Sequence, residues 1–483
     1  MPNVVAYIAL LGWPLVAFAL YFLLPASRAT LWTILGAQLL LPVGTAIKFD
    51  MVPAFDKASI PNLAAMIGCL VISKTRVAAR QTRMGLFEIL VAIYVCSPFV
   101  TAISNPDPIV LANGVVLPAQ SFYDSFSAAI SQAMFLIPLL LGRAFLASSD
   151  DIEQVLRVFV TGMLAYSLLL LFEIRMSPQL HVWIYGYASS DFVQAMRDGG
   201  FRPMVFMGHG LSAALYLMMA VVSATALWKI ETGRSKRIFA GQAIFLSVVL
   251  VLSKSLGALI YALVLAPLVK LATPQRQMRI AKFIVLIALV YPVLRAVDIV
   301  PTRTIMEAAS MISIDRADSL NVRFVNEEEL LRRANERFFF GWGRYGRSRI
   351  YDPDTGEDVS VTDGRWTITL GTFGMVGFLA EFGLFAFVIF RAASAISFSR
   401  SAKDNTIMAA LALILSINVL NLLPNAALFP WTLLITGSLL GRSEKLKATR
   451  RRPAFRSFSA DESHAANHIS QPPTPGTMPV PKL

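Results

Sequence analysis

Residues 209–228 read HGLSAALYLMMAVVSATALW, twenty consecutive positions without an acidic residue, a lysine or an arginine. A helix of this length crosses the roughly 30 Å hydrocarbon core of a bilayer. Comparable apolar stretches recur along the 483-residue chain, which is 56% hydrophobic and 15% charged, with a mean hydropathy of +0.61. A soluble chain would carry roughly a quarter charged residues. The sequence therefore predicts an all-α polytopic integral membrane protein, and excludes soluble enzymes, nucleic-acid-binding proteins and secreted disulfide scaffolds.

We expect about twelve or thirteen transmembrane helices. The thirteen candidate segments are 4–24, 31–47, 60–73, 84–103, 124–141, 156–173, 209–228, 238–253, 255–270, 283–299, 367–390, 405–423 and 426–441. These segments divide the chain into a transmembrane bundle at 1–299 with a smaller loop at 174–208, a large loop at 300–366 containing short helices, C-terminal transmembrane helices at 367–442 and a disordered, basic and proline-rich tail at 443–483.

Short basic loops predict the orientation, because loops rich in Lys and Arg stay in the cytoplasm. Four basic clusters alternate consistently along the chain: Lys74, Arg76, Arg80 and Arg83; Lys229, Arg234, Lys236 and Arg237; Lys270, Arg276, Arg279 and Lys282; and Arg391, Arg400 and Lys403. This pattern predicts a cytoplasmic tail and places the large loop on the opposite, outer side. The basic start of the tail is expected to rest on anionic lipid headgroups.

The two outer loops contain arginine but no lysine. Loop 300–366 has ten Arg and twelve acidic residues, and loop 174–208 has three Arg. The guanidinium fork binds phosphate bidentately, which lysine cannot do. This bias indicates a diphosphate ligand at the outer membrane surface. The alternative is that each Arg pairs with a carboxylate of its own loop.

Several arginines are candidate phosphate ligands. The pattern predicts a helix at 326–338, in which Arg332 and Arg333 either face a ligand or pair with glutamates one turn earlier. Arg323, just upstream, lacks such a local partner and is the better candidate. Arg202, near the start of the span 209–228, is the second.

Residues 338–347, FFFGWGRYGR, interleave aromatic residues, glycines and arginines. Trp342, Arg344 and Arg347 therefore suit a pocket for sugar rings and phosphates, although an interfacial aromatic belt is an alternative. Residues 352–358 have a glycine one position too early for an EF-hand calcium loop and are expected to form a turn between short strands.

Two residues are candidates for proton transfer. Asp363 lies at the lip of a predicted span, where partial desolvation favours a general base, although a helix cap is equally compatible with its position. His209 is the second candidate, and a satisfied hydrogen-bonding histidine is its alternative. Glu88 and Glu381 lie within apolar segments, where they either form a transporter's proton relay or pair with other groups.

The motifs and layout resemble the O-antigen polymerase and O-antigen ligase superfamily of bacterial membrane glycopolymer enzymes. The matching stretches are residues 319–323, the Arg332/Arg333 helix, Gly341-Trp342-Gly343, the glycine-rich 371–377, the 202–210 loop and Ser253-Lys254-Ser255. Many members carry a histidine where this chain has Asp363-Gly364-Arg365-Trp366, which favours an exopolysaccharide polymerase-like branch.

The resemblance implies a glycosyltransferase of the bacterial inner membrane with its large loop in the periplasm. It would polymerise or ligate polyprenyl-diphosphate-linked oligosaccharides by inverting, metal-independent transfer, without a cofactor. Arg323, Arg202 and Arg332 or Arg333 would bind the diphosphate, and Asp363, or else His209, would accept the proton. Its partners would be lipid-linked oligosaccharides, membrane lipids and other polysaccharide-assembly proteins. The alternatives are a flippase or export component and a structural subunit of an envelope-assembly complex.

Overall fold

The computed structural model describes residues 1–49, 53–72, 85–197, 199–311 and 314–450. The helices are α1 Val4–Leu23, α2 Ala26–Leu40, α3 Ser59–Ile67 with a π-helical extension Gly68–Ile72, α4 Leu86–Ile103, α5 Phe122–Phe145, α6 Ser149–Met176, α7 Leu180–Tyr185, α8 Phe192–Ala195, α9 Gly210–Ile230, α10 Gly233–Leu252, α11 Leu256–Leu271, α12 Pro274–Ala296, α13 Thr302–Ser310, α14 Ile314–Asn335, α15 Arg365–Ala395 with a 3₁₀ turn Ile396–Phe398, α16 Ala402–Asn421 and α17 Pro430–Arg450. Three two-residue hairpins are β1 Ala46–Ile47 with β2 Phe55–Asp56, β3 Ile109–Val110 with β4 Val116–Leu117, and β5 Met196–Arg197 with β6 Gly200–Phe201.

This architecture confirms an all-α polytopic membrane protein. Within the described ranges, nine helices are long and apolar enough to cross a bilayer: α1, α4, α5, α6, α9, α10, α12, α15 and α16. The other four predicted segments coincide with α2, α3, α11 and α17. Helices suit the bilayer because their backbone hydrogen bonds are satisfied internally.

Burial separates the central helices from those at the periphery. Of the most apolar 18 residues of each helix, 94% are buried inside the protein in α9 and 83% in α16, whereas only 28% are buried in α1 and in α10. The outward faces of α1 and α10 carry exposed side chains such as Leu15 and Val248. A helix that is apolar on all sides but mostly exposed contacts lipid, which places α1 and α10 at the periphery. The mostly buried helices α9 and α16 form the centre of the bundle.

Helix α15 is not the single straight span that the sequence predicted. Gly374 has φ +68° and ψ −170°, which interrupts the helix. In a straight helix, Thr369 and Glu381 would lie about 18 Å apart along the axis. Instead, Thr369 Oγ1 donates to Glu381 Oε2 at 2.6 Å. The first arm, 365–373, therefore folds back beside the second arm, 375–395.

The fold-back is held by two neighbouring segments. At the turn, Met375 N–H donates to the Phe338 carbonyl at 2.8 Å, so the 338–343 segment covers the break. At the start of the first arm, Arg365 N–H donates to the carbonyls of Leu422 and Asn425, in the connection between α16 and α17, at 2.9 and 3.1 Å. The start of α15 is thereby held at the end of the bundle where α16 connects to α17.

The large loop also differs from its prediction. Its main helix, α14, begins at Ile314 and ends at Asn335, rather than covering 326–338. Asn326 lies inside this helix and does not cap it. Its amide bonds the Val322 carbonyl at 2.7 Å and accepts the Val361 N–H at 2.8 Å, which ties α14 to the end of the loop.

Two more predictions concern the turn at 352–358 and the C-terminal tail. Residues 352–358 form the predicted turn, but it is closed by a single bridge between Tyr351 and Asp358 and not by two short strands. Helix α17 continues to Arg450, past the predicted start of the tail at 443. The rest of the tail, 451–483, and the basic cluster of Lys74, Arg76, Arg80 and Arg83 lie outside the described residues.

Candidate functional site

Three separate segments meet at one end of the bundle. They are the loop 202–209 before α9, helix α14, and Asp363-Gly364, the two residues that precede α15. Arg323 Nε lies 3.2 Å from Asp363 Oδ2. Burial lowers the pKa of His209, the positive charges of Arg202, Arg197 and Arg323 lower it further, and Asp363 raises it. These five residues therefore form one cluster, which we call the outer site. Four of them, all except Arg197, are among the residues chosen from the sequence.

Arg202 is held by packing as well as by polar contacts. Its side chain is buried, its Nη2 lies 3.4 Å from Ser255 Oγ, and its backbone N–H donates to the Ala195 carbonyl at 2.7 Å. Gly210 lies against its methylene groups, since a Cβ at that position would be 2.3 Å from Arg202 Cδ. The nearby Lys254 amine donates to the Arg197 carbonyl at 3.0 Å. The Ser253–Ser255 step and the 202–210 loop, separate motifs in the sequence, thus form one wall of the outer site.

His209 caps helix α9. Its Nδ1 accepts the Leu211 N–H at 3.1 Å, so this nitrogen carries no proton. Because the pKa of the imidazole is lowered, the ring is neutral at pH 7, and a neutral ring with an accepting Nδ1 carries its proton on Nε2. His209 is therefore arranged to donate a hydrogen bond and not to accept a proton at Nε2. Of the two candidates, Asp363 is the better suited to act as a base.

The loop between Arg202 and His209 is fixed from beneath by groups that the sequence analysis assigned no role. Glu173 Oε2 accepts the N–H groups of Met204 and Val205 at 2.9 and 2.8 Å, and its side chain is fully buried. Tyr166 OH accepts the Phe206 N–H at 2.9 Å. A lone carboxylate at the end of an apolar helix is the signal that could have identified Glu173.

A second carboxylate of the loop, Glu327, anchors α14 to the membrane helices. It accepts a hydrogen bond from Tyr291 OH at 3.0 Å and lies 3.5 Å from Arg295 Nε. Burial raises the pKa of Glu327, and the contacts with Tyr291 and Arg295 oppose that rise. Because Glu327 lies one helical turn after Arg323, this anchor also fixes Arg323 at the outer site.

The other predicted ligands make contacts that build the large loop. The Arg333 guanidinium stacks on the Trp342 ring at 3.5 Å, and Trp342 Nε1 donates to the Arg333 carbonyl at 2.7 Å. Arg347 is 1% exposed, and its Nη1 donates to the carbonyls of Asp107 and Pro118, both at 2.9 Å. These bonds join residues 338–347 to the connection between α4 and α5.

Two predicted arginines remain more open. Arg332 is exposed on α14, and Arg344 is half-buried with its backbone N–H donating to Gln120 Oε1 at 3.1 Å. Among the described residues, neither arginine forms a hydrogen bond or an ion pair with Asp363. The structure thus groups Arg202 and Arg323 with Asp363 and His209, and it gives Arg333, Arg347 and Trp342 contacts within the loop.

The two glutamates considered for a proton relay are each paired with an arginine at separate places. Glu88 lies 2.9 Å from Arg143, which also contacts Glu444 at 2.7 Å. Glu381 lies 2.8 Å from Arg365. The pairing alternative therefore describes both residues, and the two glutamates do not contact each other.

The outer site carries more positive than negative charge, with the charges of three arginines and one aspartate acting on His209. In the described part of the chain, no group of three or more His, Cys, Asp or Glu residues is placed to hold a metal ion. Clustered guanidinium groups bind phosphoryl oxygens, and a partly exposed carboxylate beside them can accept a proton. The arrangement can therefore bind a diphosphate and deprotonate a neighbouring hydroxyl.

Comparison with known proteins gives no family. No family model matches the chain, and no curated protein matches it. Among solved structures, a chain from work on structural coordination of polymerization and crosslinking by a peptidoglycan synthase complex is similar, with 16% sequence identity and a TM-score of 0.35. The similarity covers 76% of this chain and 98% of that one.

Proposed function

We propose that the protein transfers oligosaccharides from a polyprenyl diphosphate to a hydroxyl of a second lipid-linked glycan, at the periplasmic face of the bacterial inner membrane. The observation that supports this proposal is the convergence of Arg202, Arg197 and Arg323 around Asp363 and His209. Guanidinium groups fixed in this way would stabilise the negative charge of a leaving diphosphate. The acceptor decides whether this transfer is that of a polymerase or that of a ligase.

The proposed reaction is an inverting displacement. The acceptor oxygen attacks the anomeric carbon, the bond from that carbon to the diphosphate oxygen breaks, and the acceptor proton passes to the Asp363 carboxylate. The lipid diphosphate leaves with the electron pair of the broken bond, held by Arg202 and Arg323. Because the leaving group is already a weak base, charge neutralisation replaces protonation and no metal is required by this scheme.

The ion pair between Arg323 and Asp363 would link binding of the donor to the action of the base. Arg323 Nε lies 3.2 Å from Asp363 Oδ2. A bound diphosphate would compete for Arg323 and weaken the pair. The Asp363 carboxylate would then be released toward the acceptor hydroxyl when the donor is in place. His209 would add a hydrogen bond from Nε2 to a phosphoryl or sugar oxygen.

Purified protein in lipid, given polyprenyl-diphosphate oligosaccharide without nucleotide or divalent metal, tests the proposal. We expect a ladder of products for a polymerase or a single transferred block for a ligase. Asp363→Asn should lower the rate at least a hundredfold, because a catalytic acid–base group is worth about 10²–10⁴. Arg323→Ala should also lower it at least a hundredfold, because a group that stabilises charge in the transition state is worth about 10²–10³.

Arg303→Ala is the matched control. Arg303 belongs to the same loop, is 90% exposed and pairs with Glu307 of its own helix, so its removal should leave the rate unchanged. Movement of the lipid-linked glycan between leaflets without any transfer product would contradict the proposal and favour a flippase.

A further inference from the structure

An apolar groove opens on the lipid-facing side of helices α9, α10 and α11, with Trp228 and Lys270 at the ends of α9 and α11 that lie away from the outer site. Its volume is about 470 Å³, within the range of roughly 300–1,000 Å³ typical of small-molecule sites. Along α10 it extends from Ala243 to Val251, which is about 12 Å of helix. Ile244 and Val248 line it and are 63% and 53% exposed. The groove is therefore long, narrow and open to the hydrocarbon.

One end of this groove is aromatic and basic. The Lys270 amine lies 3.5 Å from the centre of the Trp228 ring, and both residues line the groove. Lys236 and Lys229 are close enough to repel the Lys270 charge. Lys229 is engaged with the carbonyls that end α11, at 2.9 and 2.6 Å from Val269 and Ala272. Lys270 thus places a positive charge at this end of the apolar channel, within electrostatic range of Lys236 and Lys229.

We propose that this groove holds one acyl chain of an anionic phospholipid whose phosphate is bound by Lys270 and Lys236. The chain fills the apolar channel along α10, and the phosphate relieves the repulsion between the two amines. A tryptophan beside the phosphate is the residue favoured at the depth of lipid headgroups. The site does not depend on the proposed glycosyl transfer, since it shares no residue with the outer site.

Charge complementarity distinguishes this occupant from bulk lipid. A basic residue near an anionic membrane surface contributes about 1 kcal/mol of binding free energy, which is about fivefold in affinity. A zwitterionic lipid of the same chain length offers the same apolar contact without that gain. The groove should therefore select phosphatidylglycerol over phosphatidylcholine, and removal of either lysine should reduce the selection about fivefold.

Trp228 itself reports the occupant. The full-length protein is reconstituted with phosphatidylglycerol or phosphatidylcholine carrying brominated acyl chains, which quench nearby tryptophan fluorescence. Subtracting the signal of Trp228→Phe isolates Trp228 from the other six tryptophans of the chain. We expect stronger quenching by brominated phosphatidylglycerol at equal mole fraction, and a preference about fivefold weaker in Lys270→Gln and in Lys236→Gln.

Two features keep the test decisive. Lys236 is exposed, so Lys236→Gln tests the phosphate contact even if Lys270→Gln disturbs the packing on Trp228. Arg400→Gln removes a charge from another exposed basic residue that does not line the groove, and it should retain the preference. Equal quenching by the two lipids, no quenching of Trp228, equal loss of preference in Arg400→Gln, or stronger quenching by a brominated polyprenyl phosphate would each overturn the proposal.

Discussion

At the scale of single residues, the cap that His209 provides for α9 depends on pH. Its Nδ1 caps α9 only while the ring is neutral, and burial together with the nearby arginines lowers its pKa in the folded protein. The unfolded chain therefore binds this proton at a higher pH than the folded chain does. The stabilising contribution of neutral His209 is complete above the ordinary histidine pKa of about 6.5 and decreases as the pH falls below it.

We predict that the melting temperature of the wild-type protein falls more steeply below pH 6.5 than that of His209→Asn. Asparagine keeps an accepting oxygen at the cap but does not titrate. Measurement of both proteins in detergent between pH 5 and 8 gives the difference directly, and other titrating groups cancel in it. Parallel melting curves over the whole range would show that His209 is not kept neutral by its surroundings.

Glu173 acts through the backbone of the 203–206 segment. We predict that Glu173→Gln lowers glycosyl transfer about tenfold, because one of its oxygens becomes an amide that faces backbone N–H groups, and a lost hydrogen bond to a charged group is worth about 1.5–3 kcal/mol. The loss should be mainly in the apparent affinity for the lipid-diphosphate donor, since Arg202 and His209 flank the displaced segment.

Glu153→Gln provides the control for Glu173. Glu153 lies near the other end of the same helix, where it pairs with Arg157 and Lys403 at 2.5 and 2.7 Å. This variant should keep the affinity for the donor. An equal loss in both variants would assign the effect to helix stability and not to the loop.

The sequence identified most of the outer site by residue type but not its supports. Arg202 and Arg323 stood out because the outer loops contain arginine but no lysine, and His209 and Asp363 because they lie at the edges of predicted spans. Arg347 has the same sequence signature, yet its guanidinium is consumed by backbone carbonyls of a distant connection. Whether an arginine meets a ligand or a carbonyl depends on tertiary contacts that local sequence does not contain.

At the scale of elements, the break in α15 sets the position of Asp363. Gly374 needs a positive φ, and a Cβ there would lie 2.3 Å from the Phe339 carbonyl. We predict that Gly374→Ala destabilises the protein by about 1–3 kcal/mol, the cost of strained backbone, and lowers activity further by shifting the first arm. Thermal unfolding in detergent and the transfer assay measure the two effects.

Gly241→Ala is the matched substitution. Gly241 lies in α10 with no atom within 4 Å of a Cβ, and its φ is helical, so alanine should be neutral or stabilising by up to about 1 kcal/mol. If Gly374→Ala unfolds at the same temperature as Gly241→Ala, the break is not a rigid feature of the fold.

Hydropathy predicted the existence of the membrane helices but not this fold-back or the full length of α14. A run of apolar residues is a local property, whereas the fold-back depends on Phe338 and Phe339 covering the turn and on Glu381 pairing with Arg365. Several glycines lie in 371–383, and their spacing alone did not indicate which one takes the left-handed conformation. From local sequence, Asn326 resembled a helix cap. Its contact with Val361, which is distant in sequence, is a tertiary interaction that local sequence does not contain.

At the scale of the whole molecule, the distribution of basic residues predicts which side faces the cytoplasm. In a background with Cys69 and Cys96 replaced, we expect Asp354→Cys to react with a membrane-impermeant maleimide applied to intact spheroplasts. Ser235→Cys should react only after permeabilisation. Both positions are exposed in the structure. Reaction of the two positions in the reverse order would invert the orientation and remove the outer site from the periplasm.

The contacts at the start of α15 also have a consequence for biosynthesis. The backbone of Arg365 is bonded to the carbonyls of Leu422 and Asn425, which leave the ribosome after the whole of α15 and α16. The segment that carries Asp363 therefore acquires these hydrogen-bond partners only after α16 has been synthesised. A nascent chain arrested before Leu422 would contain every residue of the outer site and still lack the carbonyls that hold the start of α15, so competence arrives well after the site's own residues have been translated.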